Sequence, residues 1–204
     1  MEIVLVRHGE SDANRRGIIQ GRGDYPLSDV GRSQASATAA ALADFRPDRI
    51  FVSPLGRARQ TAEIINQPHL VEIASLPELM EYNLGEFEGQ RFEDVLTKYP
   101  EVRPGRQRGV PFHHLAPGAE TDAEADERAR RALALVLDSG LSRVLVVAHL
   151  GILERILLAA LDGTGAEIPR STWPLRNCSI TRVRVMAGRW ELIGVNETGH
   201  LGRK

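Results

Sequence analysis

The sequence predicts a three-layer α/β/α sandwich with a mostly parallel mixed sheet. Three observations predict it: short apolar, β-branched runs that stop at polar residues, helical patterns between those runs, and one alternating hairpin pattern late in the chain. Ile3 to Val6 is the first run, Ile50 to Val52 the second, and Arg143 to Ala148 the clearest, with Val144, Leu145, Val146 and Val147 in succession. Runs of this kind suit strands covered on both faces. Leu70 to Ile73 is a weaker strand candidate.

The intervening helices follow from caps and spacing. One opens at Ser28 or Asp29 and runs through an alanine-rich stretch to about Asp44, ahead of Pro47; another spans Pro54 to Ile65. Thr121 with Glu124 three residues later is a capping box leading into Ala129, Leu133, Val136 and Leu137 at helical spacing. The last helix is expected over Gly151 to Leu161, stopping near Gly163. Ile180 to Met186 alternates, Ala187-Gly188 can turn, and Trp190 to Val195 returns, which reads as a hairpin adding antiparallel edges. Tyr99 to Gly118, rich in Pro, Gly and Arg, reads as a long surface excursion within one domain spanning 1–204, and the wider stretch 79–118 as a cap-like excursion.

Composition removes several function classes. A chain of 204 residues, 42 % hydrophobic and 26 % charged, matches soluble globular averages, and one core is enough for it. With 26 basic against 27 acidic residues there is no cationic excess to hold nucleic acid. Ile152 to Leu161, the most apolar later stretch, carries Glu154 and Arg155 and falls far short of the roughly 20 residues that span a bilayer. Cys178 is the only cysteine, so no intrachain disulfide forms. The first residues meet Arg7 and His8 after four apolar positions, unlike an export signal, so a cytoplasmic protein is expected.

Ligands of a mostly parallel sheet sit beyond the carboxyl ends of its strands. Three polar segments fall there. Arg7-His8-Gly9-Glu10 sets a cation and a titratable nucleophile on a loop that glycine lets approach closely, and Arg7 would hold His8 neutral by disfavouring its imidazolium. Ser53-Pro54-Leu55-Gly56-Arg57 ends a strand and starts a helix, where free backbone donors favour anions. Val147-Ala148-His149-Leu150-Gly151 delivers a second histidine to the same edge.

With these segments the sequence resembles the histidine phosphatase superfamily, which has the phosphoglycerate mutase-like fold, and within it the branch of small phosphatases. The resemblance spans nearly the whole chain and implies a phosphate pocket built from Arg7, His8, Arg57 and His149, with Asn14 as a further phosphate contact. Leu79 to Gly89 is similar to the segment that supplies the proton donor, with Glu81 at the matching position and Glu78 and Glu88 as decoys. Gln20 and Gly21, followed by Asp24 to Ser28, Gly31 and Gln34-Ala35, match the family's loop and helix and make Gln20 and Gly21 substrate-binding candidates. Leu150, where a small residue is frequent, and Gly56 depart from the usual pattern.

The implied mechanism is attack of His8 on phosphorus, proton delivery by Glu81 to the departing alkoxide, then hydrolysis of phosphohistidine. Arg7, Arg57, a protonated His149 and Asn14 would stabilise the phosphoryl oxygens. No cofactor or metal is implied, because guanidinium forks serve as the charge clamps. The expected partner is a small phosphomonoester, with no nucleic acid or membrane, and the sequence leaves oligomeric state open.

Rival readings are a phosphoglycerate mutase sharing the pocket, a phosphoanion-binding protein without turnover, and a zinc hydrolase using His8 and His149. The compact chain ending Asn196 to Leu201 favours the phosphatase. Arg59, two residues past Arg57 on a helix, points elsewhere, and His69 and His200 read as surface or packing residues. His113 and His114 lie in the excursion with Arg103, Arg106 and Arg108, a set that is solvated or binds a polar part of the substrate.

Overall fold

The computed structural model describes residues 1–161, 175–186 and 188–202. Strands β1 (Glu2–Arg7), β2 (Arg49–Val52), β3 (Ile73–Ser75), β4 (Arg143–Ala148), β5 (Ile180–Met186) and β6 (Arg189–Glu197) form one sheet in the order β3-β2-β4-β1-β5-β6. The four strands from β3 to β1 are parallel, and the hairpin β5–β6 adds the antiparallel edge that the alternating pattern predicts.

Side-chain alternation builds the layers, because successive strand residues point to opposite faces. Ile3, Leu5, Val144 and Val146 join the cluster of α6 (Asp122–Asp138) and α7 (Leu150–Leu161). Val4, Val6, Leu145 and Val147 join the other face, on which α3 (Gly56–Ile65) packs beside α2 (Asp29–Ala41). Ser28 caps α2 by accepting from the Gly31 amide, and the Thr121–Glu124 capping box opens α6 as its spacing predicts.

Four sequence expectations need adjusting. The weak strand at Leu70 to Ile73 is displaced to Ile73–Ser75: Leu70 is 85 % exposed with φ 55°, and the chain reaches β2 only beyond it. The helix expected from Ser28 to Asp44 stops at Ala41. A short helix, α1 (Asp12–Arg16), was not expected. The excursion is no bare loop either, since it carries α5 (Val102–Gln107) and a 3₁₀ turn at Phe112–Leu115. With α4 (Phe92–Lys98) it buries Val95, Val102 and Ala116 against Phe87 and Ile19 in a satellite core. The stop near Gly163 and the Ala187 half of the hairpin turn lie outside the described residues.

Candidate active site

Register decides which residues meet. Arg7 pairs with Ala148 and Val52 with Val147, so the residues that follow, His8, Ser53 and His149, emerge side by side at one sheet edge. The ladder continues one step further, the His8 amide donating to the Ala148 carbonyl at 2.9 Å and the Ser53 amide to the Val147 carbonyl at 3.1 Å. The His8 and His149 rings lie 5.1 Å apart, and His8, Arg57 and His149 are 3 %, 1 % and 0 % exposed.

The polar atoms of these side chains are used in a pattern. Nδ1 of His8 lies 2.7 Å from the Gly9 carbonyl oxygen, which can only accept, so Nδ1 carries the proton and Nε2 keeps its lone pair. Arg57 donates from Nη1 to the Gly23 carbonyl and from Nη2 to the Gly21 carbonyl, both at 2.8 Å, and Arg7 donates from Nη1 to the Leu175 carbonyl at 2.6 Å. Nε of Arg7, Nε of Arg57 and Nδ1 of His149 are buried without a partner among the described residues. The two guanidinium Nε–H groups can only donate, so an anion between them would satisfy both. Nε2 of His149 is hydrogen-bonded to Ser53 Oγ at 2.7 Å.

Burial, then Arg57 and Arg7, hold His8 well below the usual histidine range, the direction expected, although burial outweighs Arg7. The same causes hold His149 well below that range. Burial and two guanidinium groups thus disfavour the His149 imidazolium that the resemblance implies for phosphate binding. Arg57 is lowered to about 10 by burial and stays cationic at neutral pH.

Glu81 arrives from the stretch after β3. Its carboxylate accepts from the Gly151 and Ile152 amides at 3.1 and 3.2 Å, the first turn of α7, and from the Tyr82 amide at 3.0 Å. Helix-start amides have no intrahelical partner, so a carboxylate suits them. Gly151 makes room: a Cβ there would sit 2.6 Å from Glu81 Oε1. Glu78 contributes its carbonyl to Arg128 and Glu88 its carboxylate to the Arg22 and Leu84 amides, and neither lines the cleft that Glu81 lines. Asn14 spends Oδ1 on the Ser11 amide and hydroxyl. Gln20 accepts from Ser11 Oγ at 2.8 Å. Asn14, Gln20 and Gly21 line the same cleft, of about 620 Å³, as His8, Arg57 and Glu81.

Sequence reasoning missed the supports. Arg128 of α6, 6 % exposed, grips Glu120 with two hydrogen bonds of 2.8 and 2.7 Å and also donates to the Glu78 and Met80 carbonyls. It thereby fixes the segment that ends in Glu81, and the helical periodicity of α6 with one arginine on its buried face was the signal available. The Asn177 side chain and Cys178 amide hold the His8 and Arg7 carbonyls from the turn before β5. The Gly9 amide donates to Thr61 Oγ1, one turn past Arg57, which ties the histidine loop to α3. Arg59 lies on the surface toward Glu63, and His200 packs on Thr38, as expected. His113 and His114 both contact the Asp122 carboxylate, at 2.6 and 3.1 Å, and Arg155 pairs with the same group. Among the described residues this is the trio whose ligand atoms lie close enough to hold a metal ion, and it is separate from His8 and His149.

Two partially desolvated guanidinium groups around a neutral imidazole with a free Nε2, and a carboxylate facing them, define a site for moving a phosphoryl group. Comparison with known proteins places the chain. Residues 3–198 match the model of the histidine phosphatase superfamily, branch 1, and the chain belongs to that superfamily as a phosphatase-class enzyme. It is 32 % identical over 200 residues to the uncharacterized phosphatase PhoE of Bacillus subtilis strain 168, covering 98 % of this chain and 96 % of PhoE. It is 36 % identical over 192 residues to the probable phosphoglycerate mutase GpmB of Escherichia fergusonii, covering 93 % and 87 %. Among solved structures, a mycobacterial glucosyl-3-phosphoglycerate phosphatase in complex with VO3 superposes with TM-score 0.83 at 26 % identity over 97 % of this chain and 99 % of that one.

Proposed function

We propose that this protein hydrolyses a small phosphomonoester through a phosphohistidine at Nε2 of His8, without a metal ion, in the cytoplasm and within one domain whose residues 79–118 form the cap. The observation that carries the reading is the occupied Nδ1 of His8, which leaves Nε2 as the free lone pair beside the vacant Nε donors of Arg7 and Arg57. His8 Nε2 bonds to phosphorus as the ester P–O bond breaks, and Glu81 protonates the departing oxygen. A water molecule then attacks the phosphorus, Glu81 takes its proton, the P–N bond breaks, and inorganic phosphate leaves. Arg7, Arg57 and the Asn14 amide neutralise the equatorial oxygens, each well-placed donor being worth about 3 to 4 kcal/mol in the transition state. His149 becomes a cation only when a phosphate dianion replaces water beside it, because that charge opposes the two arginines.

Quenching with ³²P-labelled substrate tests this. The expected result is an acid-labile, base-stable phosphoprotein in the wild type and none in His8→Ala, with phosphate release undiminished by a chelator. A label that persists in His8→Ala overturns the reading. Because the chain is 36 % identical to a probable phosphoglycerate mutase, the same samples should be assayed for exchange between 2- and 3-phosphoglycerate; exchange faster than phosphate release would make the enzyme a mutase.

A further inference from the structure

The phosphatase mechanism leaves one carboxyl of the cleft unused. Glu154, on the second turn of α7, is half-buried and lines the cleft beside Glu81, and it has neither a hydrogen bond nor an ion pair among the described residues. Its neighbour Arg155 is committed to Tyr82, Asp122 and Asp126. Leu150 and Leu158, one turn to either side of it on α7, are apolar and line the same cleft.

An unpaired carboxylate is out of place in a pocket that admits a phosphate dianion. Two like charges in one partly desolvated cleft repel more strongly than they would in water. Burial and the nearby Glu81 raise Glu154 to about 7, so the free site already resists its ionisation. The charged groups facing it are Glu81 from the stretch after β3, Arg7 from β1 and Arg155 on its own helix, with Arg106 and His113 across the cleft. A group that costs free energy when empty and is relieved by one kind of ligand discriminates in favour of that ligand.

We infer that Glu154 is a specificity residue for the leaving group, selecting phosphomonoesters whose alcohol portion carries an amine and disfavouring those that carry a carboxylate. The inference rests on the proposed phosphatase reading. An ammonium group replaces the missing partner with a charge-assisted hydrogen bond, whereas a carboxylate brings a third negative charge into the same space.

Three substrates of equal length test it: phosphoethanolamine, 2-hydroxyethyl phosphate and phosphoglycolate, which end in an amine, a hydroxyl and a carboxylate. In the wild type kcat/KM is expected to favour the amine over the hydroxyl by about tenfold or more and to be lowest for the carboxylate. In Glu154→Gln the amine-to-hydroxyl ratio should fall toward one. A wild-type ratio near one, or a ratio that Glu154→Gln leaves intact, overturns the inference. If the variant does not fold, the wild type alone decides: with each kcat/KM divided by the dianion fraction set by that substrate's own measured second phosphate pKa, the ratio should climb from pH 6 to pH 8 as Glu154 ionises, and a flat corrected ratio refutes it. Wild-type hydrolysis of p-nitrophenyl phosphate, which has no amine, tests the phosphatase reading separately.

Discussion

The two ends of the cleft are built differently. At the proposed phosphate end, His8, Arg57 and His149 are almost wholly buried; His8 and His149 directly follow β1 and β4, Arg57 opens α3 after β2, backbone carbonyls hold His8 and Arg57, and Ser53 holds His149. At the proposed leaving-group end, Arg106 is exposed, the walls come from the excursion and α7, and Glu154 has no hydrogen bond or ion pair through its side chain among the described residues. Every phosphomonoester has the same phosphoryl group, so that end can be rigid and dry; leaving groups differ, so that end is assembled from segments that can vary without disturbing the sheet.

The largest test of the contrast is His8→Ala. Turnover should drop by roughly 10⁴-fold or more, and by the same factor for every substrate, since each uses the same nucleophile. Steady-state kcat on a panel of esters checks this, and a loss confined to some substrates would erase the division between the two ends. Glu81 lies on the boundary, so its replacement should depend on the leaving group. Glu81→Gln is expected to lower kcat by about 10²- to 10⁴-fold for alkyl phosphates. For p-nitrophenyl phosphate, whose phenolate departs without a proton, the loss should be about tenfold or less. Equal losses for both esters would remove Glu81 from the proton-donor role.

Arg128 should give a smaller version of the Glu81 pattern, because it holds the Met80 and Glu78 carbonyls and is not among the residues that line the cleft. Arg128→Met is expected to reduce kcat for alkyl esters about tenfold, with KM and p-nitrophenyl phosphate turnover little changed, a split that mere loss of stability would not produce. It also takes from Glu120, whose side chain is 8 % exposed, its two shortest partners and leaves it the Arg22 ion pair at 3.4 Å and the Asn83 amide at 3.3 Å, which costs about 1 to 3 kcal/mol. The double variant Arg128→Met with Glu120→Gln should recover part of that stability without recovering alkyl-ester turnover.

How far the sequence could be read follows the same division. Arg7, His8, Arg57 and His149 were legible because Arg7 ends β1, His8 and His149 directly follow β1 and β4, and Arg57 opens the helix just after β2, a signal carried by a handful of adjacent residues. The sheet and both helical layers were legible for the same reason. Arg128, by contrast, acts on residues 47 to 50 positions away, and Asn177 reaches His8 across 169 positions, separations that no local pattern encodes. The neutral state of His149 depends on burial and on Arg57, both of which arise only when the chain is folded. Glu154 was visible only as an acid interrupting an apolar helix; its spacing of four from Leu150 does put it on the face of the helix's first turn, where the cleft begins.

The smallest effect concerns stability and pH, and it isolates the leaving-group end. Glu154 is raised from 4.5 to about 7 in the folded protein, mainly by burial. Between those values the folded state binds more protons than the unfolded state, so stability falls as pH rises through that window, and the full penalty is present above about 7. Because the group is partly solvated, screening reduces the penalty to on the order of 1 kcal/mol. Glu154→Gln cannot ionise, so its Tm should match the wild type near pH 4.5 and exceed it by about 2 to 4 °C at pH 8. His8 and His149 act at the other side: both are held neutral in the fold, so stability is lost as pH falls below the ordinary value of 6.5. That loss is common to both proteins and cancels in the difference. Differential scanning calorimetry across pH 4.5 to 8 therefore reads Glu154 alone, and a Tm difference that does not change with pH would mean that its carboxyl is no less solvated in the fold than in the unfolded chain.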